Sequence, residues 1–283
     1  MIKISSGRRL FFICNNIFIA LVCIIVFIPL WMVLLTSLSS DTIAAAQGYV
    51  IFPTEIDFSS YARVFKSTGY MSSFVNSIWI TIISTILSMV LTTTMAYALS
   101  QRDLICQKFF MNLVLATMFL DGGIIPFYMV VRNMGMINSY ISIIIPISIG
   151  TYNLILMRNY FRTIPESLIE SARLDGCSEL GTLMRIVLPV SIPIIAAVAL
   201  FYTVTHWNRY FEVVMFINDS RKYTLQVQLR NLIFAGSSEV TSDPVFNNFK
   251  MAVMVLAMLP VLVLYPFIQR YFISGIMLGS IKG

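Results

Sequence analysis

From Phe11 to Leu35 the chain runs without a charged side chain, and Ser77–Leu99 does the same. A helix rises about 1.5 Å per residue, so about 20 apolar residues cross a hydrocarbon core about 30 Å thick. A barrel would instead show alternating strands of about 10 residues. These runs do not alternate, so they predict helices. The first exceeds the roughly 7–15 apolar residues of a signal peptide. Ala44-Ala45-Ala46 could imitate a cleavage site, but the run is read as a retained helix. The rest of the chain has the same character: 58% hydrophobic and 11% charged residues. A soluble domain has about 45–50% and 25%, so a soluble enzyme is excluded. Disorder needs low hydrophobicity and high charge, and is excluded too.

Apolar runs set against charges and turn residues predict six spans, near Phe11–Leu38, Phe74–Leu99, Phe109–Val131, Ser139–Asn159, Pro189–Tyr210 and Met251–Phe267. Six spans put both termini on one side, together with connectors 100–108 and 160–188. With Arg158 at the edge of the fourth span, eleven of the nineteen basic residues fall there, against five of the thirteen acids. The whole +6 excess therefore lies on that side, and the positive-inside rule makes it cytoplasmic. The basic residues are dispersed and form no tract, which disfavours nucleic acid. The four cysteines, Cys14, Cys23, Cys106 and Cys177, match no metal or disulfide spacing. Seven prolines lie in or beside spans: Pro29, Pro126, Pro146, Pro189, Pro193, Pro260 and Pro266. Asp121-Gly122-Gly123 followed by Pro126 interrupts the third span. A proline removes a backbone donor, which membranes tolerate where neighbours or a cavity satisfy the freed groups. Bent helices around a path are expected.

Connector 160–188 is long and amphipathic. Thr163 and Glu166 have capping-box spacing, and Pro165 suits a first turn. Ile164, Leu168 and Ala172, with Ile169, share one face at helical spacing. Glu166 and Glu170 form an acidic row. Gly176 ends the helix, where glycine best tolerates a left-handed backbone. Ser178 and Glu179 can start a second short helix, and Pro189 marks entry into the fifth span. Such a helix–glycine–helix suits docking into a partner's groove. The alternative is an amphipathic helix on lipid, which usually carries a Lys/Arg-rich polar face; here Glu166, Glu170 and Asp175 stand against Arg173.

Glu170-Ser171-Ala172, then Gly176, then Ile186-x-Leu188-Pro189 resembles the EAA loop of bacterial ABC importer permeases. Asp175 before the glycine fits that pattern, and Ser171 stands where alanine is usual. The end of the chain, Gln269-Arg270 through Gly275, Gly279 and Lys282-Gly283, is similar to the tail of carbohydrate permeases of the smaller maltose-permease type. The resemblance implies an all-α polytopic membrane protein with six transmembrane helices and the type I ABC importer permease fold. It implies a single permease domain, 1–283: a first span with external segment (1–73), core spans (74–271) and a cytoplasmic tail (272–283).

By the same resemblance, Glu170, Ser171, Ala172, Asp175, Gly176, Ile186, Leu188 and Pro189 couple the chain to an ATPase. Glu170 would pair with a basic residue of that ATPase, and Gly176 would allow the bend. Gly279, Lys282 and Gly283 would reach the ATPase dimer. The implied partners are a second, different permease, an ABC ATPase dimer and an extracytoplasmic solute-binding protein. The implied solute is an oligosaccharide, and the place is the bacterial cell membrane with both termini cytoplasmic. This chain has no Walker-type GxxxxGK[ST], so no cofactor is expected in it; ATP and Mg belong to the partner ATPase.

An ionisable residue inside a span is a functional candidate, and Asp121 is the clearest, with Tyr128 two turns on. Asp121 could equally cap a broken helix. His206, Trp207 and Asn208 lie in a polar–aromatic stretch of the kind that binds sugars, though tryptophan and tyrosine also form interfacial belts. His206, the one histidine, has no acidic or cysteine partner at ligand spacing, so no metal site is expected. The external stretches Asp41–Ser73 and Asn218–Asn248 are candidates for touching a binding protein, or are spacers. The rival readings are an ABC permease for amino acids, peptides, phosphate or metals, a lone secondary transporter, and a membrane-embedded enzyme. The second rival wants inverted repeats, and the third wants clustered His, Asp or Cys.

Overall fold

The computed structural model describes residues 6–52, 55–120, 122–235 and 244–280. In chain order it forms α1 (Ser6–Ser37), α2 (Asp41–Gln47), α3 (Ser59–Lys66), α4 (Thr68–Ser100), α5 (Gln107–Phe119) and α6 (Ile124–Asn133). Then come α7 (Ile141–Ile144), α8 (Thr151–Phe161), α9 (Glu166–Leu174) and α10 (Glu179–Thr182). A π-helical turn (Leu183–Val187) leads into α11 (Leu188–Val190), α12 (Ile192–Trp207), α13 (Phe211–Phe216), α14 (Leu225–Ala235) and α15 (Pro244–Ser280). Among the described residues there is no strand, as the unbroken apolar runs predict.

Gly7–Ser37, Thr68–Ser100 and Asn247–Leu264 are each long and apolar enough to cross a membrane. Two interrupted pairs pass only together, α5 with α6, and Glu179–Val190 with α12. Length and composition therefore give three spans, or five if each pair is one, against the six expected. The difference lies in the fourth expected span, Ser139–Asn159. It is divided into four-residue α7 and eleven-residue α8, and α8 extends only about 16 Å at 1.5 Å per residue.

The prolines act unequally. Pro29, Pro260 and Pro266 lie inside continuous helices. Pro189 and Pro193 flank a real break, where the chain bends by 89°. Neither has an N–H to offer the carbonyl four residues back. The chain responds with the π turn before Pro189 and a bend at Ser191, whose N–H is shared between the carbonyls of Val187 and Leu188 at 3.0 Å each. The expected start of the fifth span at Pro189 moves to Ile192 for this reason.

The chain forms two compact units. One comprises residues 1–71 and 229–259. In it the segment after α1 is tied down by polar contacts: Arg63 to Asp41 at 2.8 Å, Ser37 Oγ with the Tyr61 hydroxyl at 2.7 Å, and Asn248 Nδ2 donating to the Ser39 carbonyl at 2.6 Å. The apolar surface of α1 is not buried within the chain.

The other unit comprises residues 72–228 and 260–283. Its main core joins Tyr97, Leu154, Met157, Phe161, Leu183, Val187, Val198 and Tyr202. Within this unit α4 buries Ser77, Thr81, Ser84, Ser88 and Thr92 at three- and four-residue spacing. Small hydroxyl residues on one face let helix backbones approach closely, which is how helices associate where lipid supplies no hydrophobic drive between them.

Candidate functional site

The connector between α8 and α12 builds the helix–glycine–helix that its residues predict. α9 ends in a Schellman motif: the Gly176 N–H donates to the Arg173 carbonyl at 3.1 Å and the Cys177 N–H to the Ala172 carbonyl at 2.9 Å. Gly176 sits at φ +78°, where a Cβ carries a steric penalty. Ser178 caps α10, its Oγ accepting from the Gly181 N–H at 3.2 Å.

The expected capping box at Thr163 and Glu166 does not form. Thr163 belongs to the turn that finishes α8, and its hydroxyl donates to the Tyr160 carbonyl at 2.7 Å. Pro165, extended at ψ 130°, is the residue before the helix, so Glu166 is its first residue rather than its third. The Glu166 carboxylate is turned to Arg102 instead, at 2.9 Å.

Burial divides the segment into two faces. Ile164, Ala172, Leu183 and Val187 are buried against the chain's own unit. Fully burying an aliphatic side chain contributes about 1.5–3 kcal/mol in water, so Leu183 and Val187 root the connector firmly. Leu168, expected on the same face, is exposed. The outward face carries Glu170, Ser171, Asp175 and Gly176, all exposed, with Leu174 at 89% exposure. Ile186 and Leu188 are half-buried in and after the π turn, and Pro189 is exposed. Of the eight residues that the EAA resemblance singles out, Ala172 alone is fully buried; the α9 positions around it face out.

One cluster was not legible in the motif. Arg173 Nε donates to Glu179 Oε1 at 2.9 Å, its Nη2 donates to Gln101 Oε1 at 3.2 Å, and its Nη1 lies 3.5 Å from Asp103. The Tyr97 hydroxyl donates to the other Glu179 oxygen at 2.8 Å. The Glu179 carboxylate pushes the Arg173 guanidinium up from its ordinary value. Arg173 thus fastens α9 to α10 and both to connector 100–108, at the end of α4. Only the isolated charge of Arg173 in an acidic row hinted at this; its partners at 97–103 are about seventy residues away in the chain.

The path candidates are scattered. Asp121 lies outside the described residues. Tyr128 is half-buried and stacks on Phe216, with ring centroids 6.1 Å apart and planes 12° apart. His206 is buried; its Nε2 lies 3.0 Å from Ser88 Oγ and its ring stacks on Tyr202. The Tyr202 hydroxyl pairs with Thr92 Oγ1 at 2.6 Å and accepts the Gly150 N–H at 2.9 Å. Trp207 is buried with its ring edge-on to Phe74. Asn208 is exposed, and its side chain donates to the Val204 carbonyl. Among the described residues, the ring contact of Tyr128 and the ring and hydrogen-bond contacts of His206 share no residue. Gly279 falls in the last turn of α15; Lys282 and Gly283 lie outside the described residues. Among the described residues no three His, Cys, Asp or Glu groups could hold a metal.

These features define a polytopic helical membrane protein that carries a rooted helix–glycine–helix between α8 and α12. The family model for the binding-protein-dependent transport system inner membrane component matches residues 107–277, and the chain belongs to that family. It is 41% identical over 272 residues to the polygalacturonan/rhamnogalacturonan transport system permease protein YtcP of Bacillus subtilis, covering 93% of this chain and 94% of that one. It is 38% identical over 286 residues to protein LplC of the same organism, covering 99% and 97%. The fold matches a chain of a crystal structure of a bacterial ABC transporter involved in the import of the acidic polysaccharide alginate. The TM-score is 0.87 at 31% identity, covering 96% of this chain and 100% of that one. The protein is thus a permease of a binding-protein-dependent ABC importer, as the connector implies, and it is a membrane protein.

Proposed function

We propose that this permease forms, with a second and different permease, the path by which an oligosaccharide enters a bacterial cell. A solute-binding protein outside the membrane delivers the sugar. An ABC ATPase dimer, holding ATP and Mg, supplies the energy. The helix–glycine–helix at 166–190 carries this reading. Its inward face is rooted by Leu183, Val187 and Ala172, while Glu170, Ser171 and Asp175 face outward for a partner. A rigid element docked outside the membrane and packed against the spans can pass on a two-state motion as rocking. Glu170 pairs with a basic residue of the ATPase. Breaking a partly buried charge pair from one side costs about 3–5 kcal/mol.

The sugar assignment rests on the likeness to YtcP and to the alginate importer. Both termini and connectors 100–108 and 160–188 face the cytoplasm, because the excess of basic residues falls there. The tail near Gly279 continues toward the ATPase. Along the path, Asn208 and Tyr128 are accessible to solute, while His206 and Trp207 shape it from behind.

The test is purification of the chain in detergent from its native membranes, followed by ATPase and uptake assays. Recovery of an ATPase and a second permease, with sugar uptake dependent on ATP, supports the reading. Uptake by the chain alone, driven by an ion gradient, overturns it.

A further inference from the structure

The segment after α1 does not simply leave the membrane. The Val50 N–H donates to Thr36 Oγ1 at 2.9 Å, near the end of α1. One residue on, the Ile51 carbonyl accepts the indole N–H of Trp31 at 3.2 Å. Trp31 lies six residues before Ser37, about 9 Å back along the helix axis at 1.5 Å per residue. By Asp57 the chain has returned, its N–H donating to the Leu38 carbonyl at 2.7 Å. Residues 50–51 therefore run back down the flank of α1, with Phe52 next in the chain.

Where that flank lies follows from the sequence. Arg8-Arg9 mark one boundary of the span, and about 20 apolar residues beyond Leu10 cross the hydrocarbon core and end near Pro29. Trp31 is then at the level of the headgroups, where tryptophan favours the interface. The side chains beside it are apolar and uncovered: Ile51 is 52% exposed and Phe52 79% exposed, while Val50 between them and Tyr49 is fully buried. The Trp31 indole N–H, the Ile51 carbonyl, the Val50 N–H and the Thr36 hydroxyl are paired within the chain. A dry environment requires that pairing, whereas water would not.

We propose that Ile51 and Phe52 insert into the leaflet at the C-terminal end of α1, making residues 49–52 a lipid-anchored clasp that fixes the depth of the first span. The occupant of this surface is lipid, because the patch continues the apolar flank of α1 and offers no hydrogen-bonding side chain at Ile51 or Phe52. Insertion of this sort reaches about 5–10 Å into the headgroup–acyl boundary. The clasp would resist piston movement of α1 along the membrane normal. The inference needs only the membrane setting, and no particular solute or partner.

The test uses the full chain, co-expressed with its partners and reconstituted in phosphatidylcholine/phosphatidylglycerol vesicles. Its four cysteines are replaced by serine or alanine, and a nitroxide is attached to Phe52→Cys, or separately to Ile51→Cys. Ile25→Cys, within the apolar span of α1, serves as the lipid reference and Ser59→Cys as the aqueous one. Collision with oxygen is expected to exceed collision with a water-soluble nickel chelate several-fold, as at Ile25→Cys. A dominant nickel signal, as at Ser59→Cys, places the segment in water and overturns the inference. Slow collision with both reagents means that protein covers it, which overturns the lipid assignment equally. Both sites must be labelled, so that misfolding of one variant cannot decide the outcome.

Discussion

Replacing Arg173 by alanine separates structure from transmission. The side chain makes three polar contacts, to Glu179, Gln101 and Asp103, at 2.9, 3.2 and 3.5 Å. Arg173 is 35% exposed, and the two carboxylates are 56% and 69% exposed. Solvent screens such pairs, so each contributes at most about 1 kcal/mol and the cluster about 1–2 kcal/mol. The connector keeps its buried anchors Ile164, Leu183 and Val187, so insertion and assembly are expected to survive. The fastening between α9, α10 and the end of α4 weakens by a factor of about 5–30. In reconstituted vesicles, sugar taken up per ATP hydrolysed should fall by about that factor while hydrolysis continues. Arg173→Lys should recover part of the loss, because an ammonium reaches Glu179 but cannot fork to three partners. Tyr97→Phe, which removes one donor to Glu179, should fall between them. Unchanged stoichiometry in Arg173→Ala would refute the reasoning. So would a loss of uptake and hydrolysis in proportion to protein level.

Glu170→Arg, on the exposed face of α9, is expected to abolish uptake with insertion intact, and normal uptake would sink the coupling assignment. Gly176→Ala meets no atom within 4 Å, so its cost is conformational, about 1–2 kcal/mol. Gly176→Pro also loses the hydrogen bond to the Arg173 carbonyl and should abolish transport; equal uptake in the two variants contradicts the left-handed cap. Tyr202→Phe leaves the half-buried Gly150 N–H without its acceptor, a cost of about 1 kcal/mol, visible as a lower thermal midpoint in detergent. Hydrogen bonds from Arg221 hold the Asp219 carboxyl below its ordinary value of 3.8. Because the folded value is depressed, the order it lends to residues 219–222 is full above the ordinary value and fades as pH falls through the lowered one. Amide exchange at Arg221, whose N–H donates to Asp219 Oδ1, should accelerate over that acid window, and Asp219→Asn should flatten the profile.

The helix–glycine–helix was readable because its signals are local. Gly176 is the one residue there that takes φ +78° without strain, and Ser178 stands three residues before the amide it caps. The start of α9 was misread because Thr163 satisfies two demands, and the turn that closes α8 claimed its hydroxyl first. The division of the fourth expected span between α7 and α8 was not legible, because hydropathy sees residues 145–150 as apolar without seeing that they interrupt the helix. The π turn at Leu183–Val187 follows from Pro189 and Pro193 only once the packing of Leu183 and Val187 is known. Arg173 shows the remaining limit: its partners come from another connector, and no spacing rule reaches that far. The clasp at Ile51 was hidden for the same reason, since a twenty-residue separation from Trp31 leaves no periodic trace.

The buried hydroxyls of α4 have a mechanical consequence. A helix locked by leucine knobs must open a gap before it can shift against its neighbour. Ser77, Ser88 and Thr92 are held instead by single bonds to the Leu225 N–H, to His206 and to Tyr202. A helical serine or threonine can exchange such a bond for a carbonyl of its own helix one turn back. Thr94 already does this, donating to the Val90 carbonyl at 2.8 Å. At Ser88 and Thr92 a rotamer flip can therefore release the contact with the hydroxyl still satisfied, whereas a flip at Ser77 would leave the Leu225 N–H without its acceptor. The seam is tight at rest and cheap to unfasten, more a row of press studs than a weld.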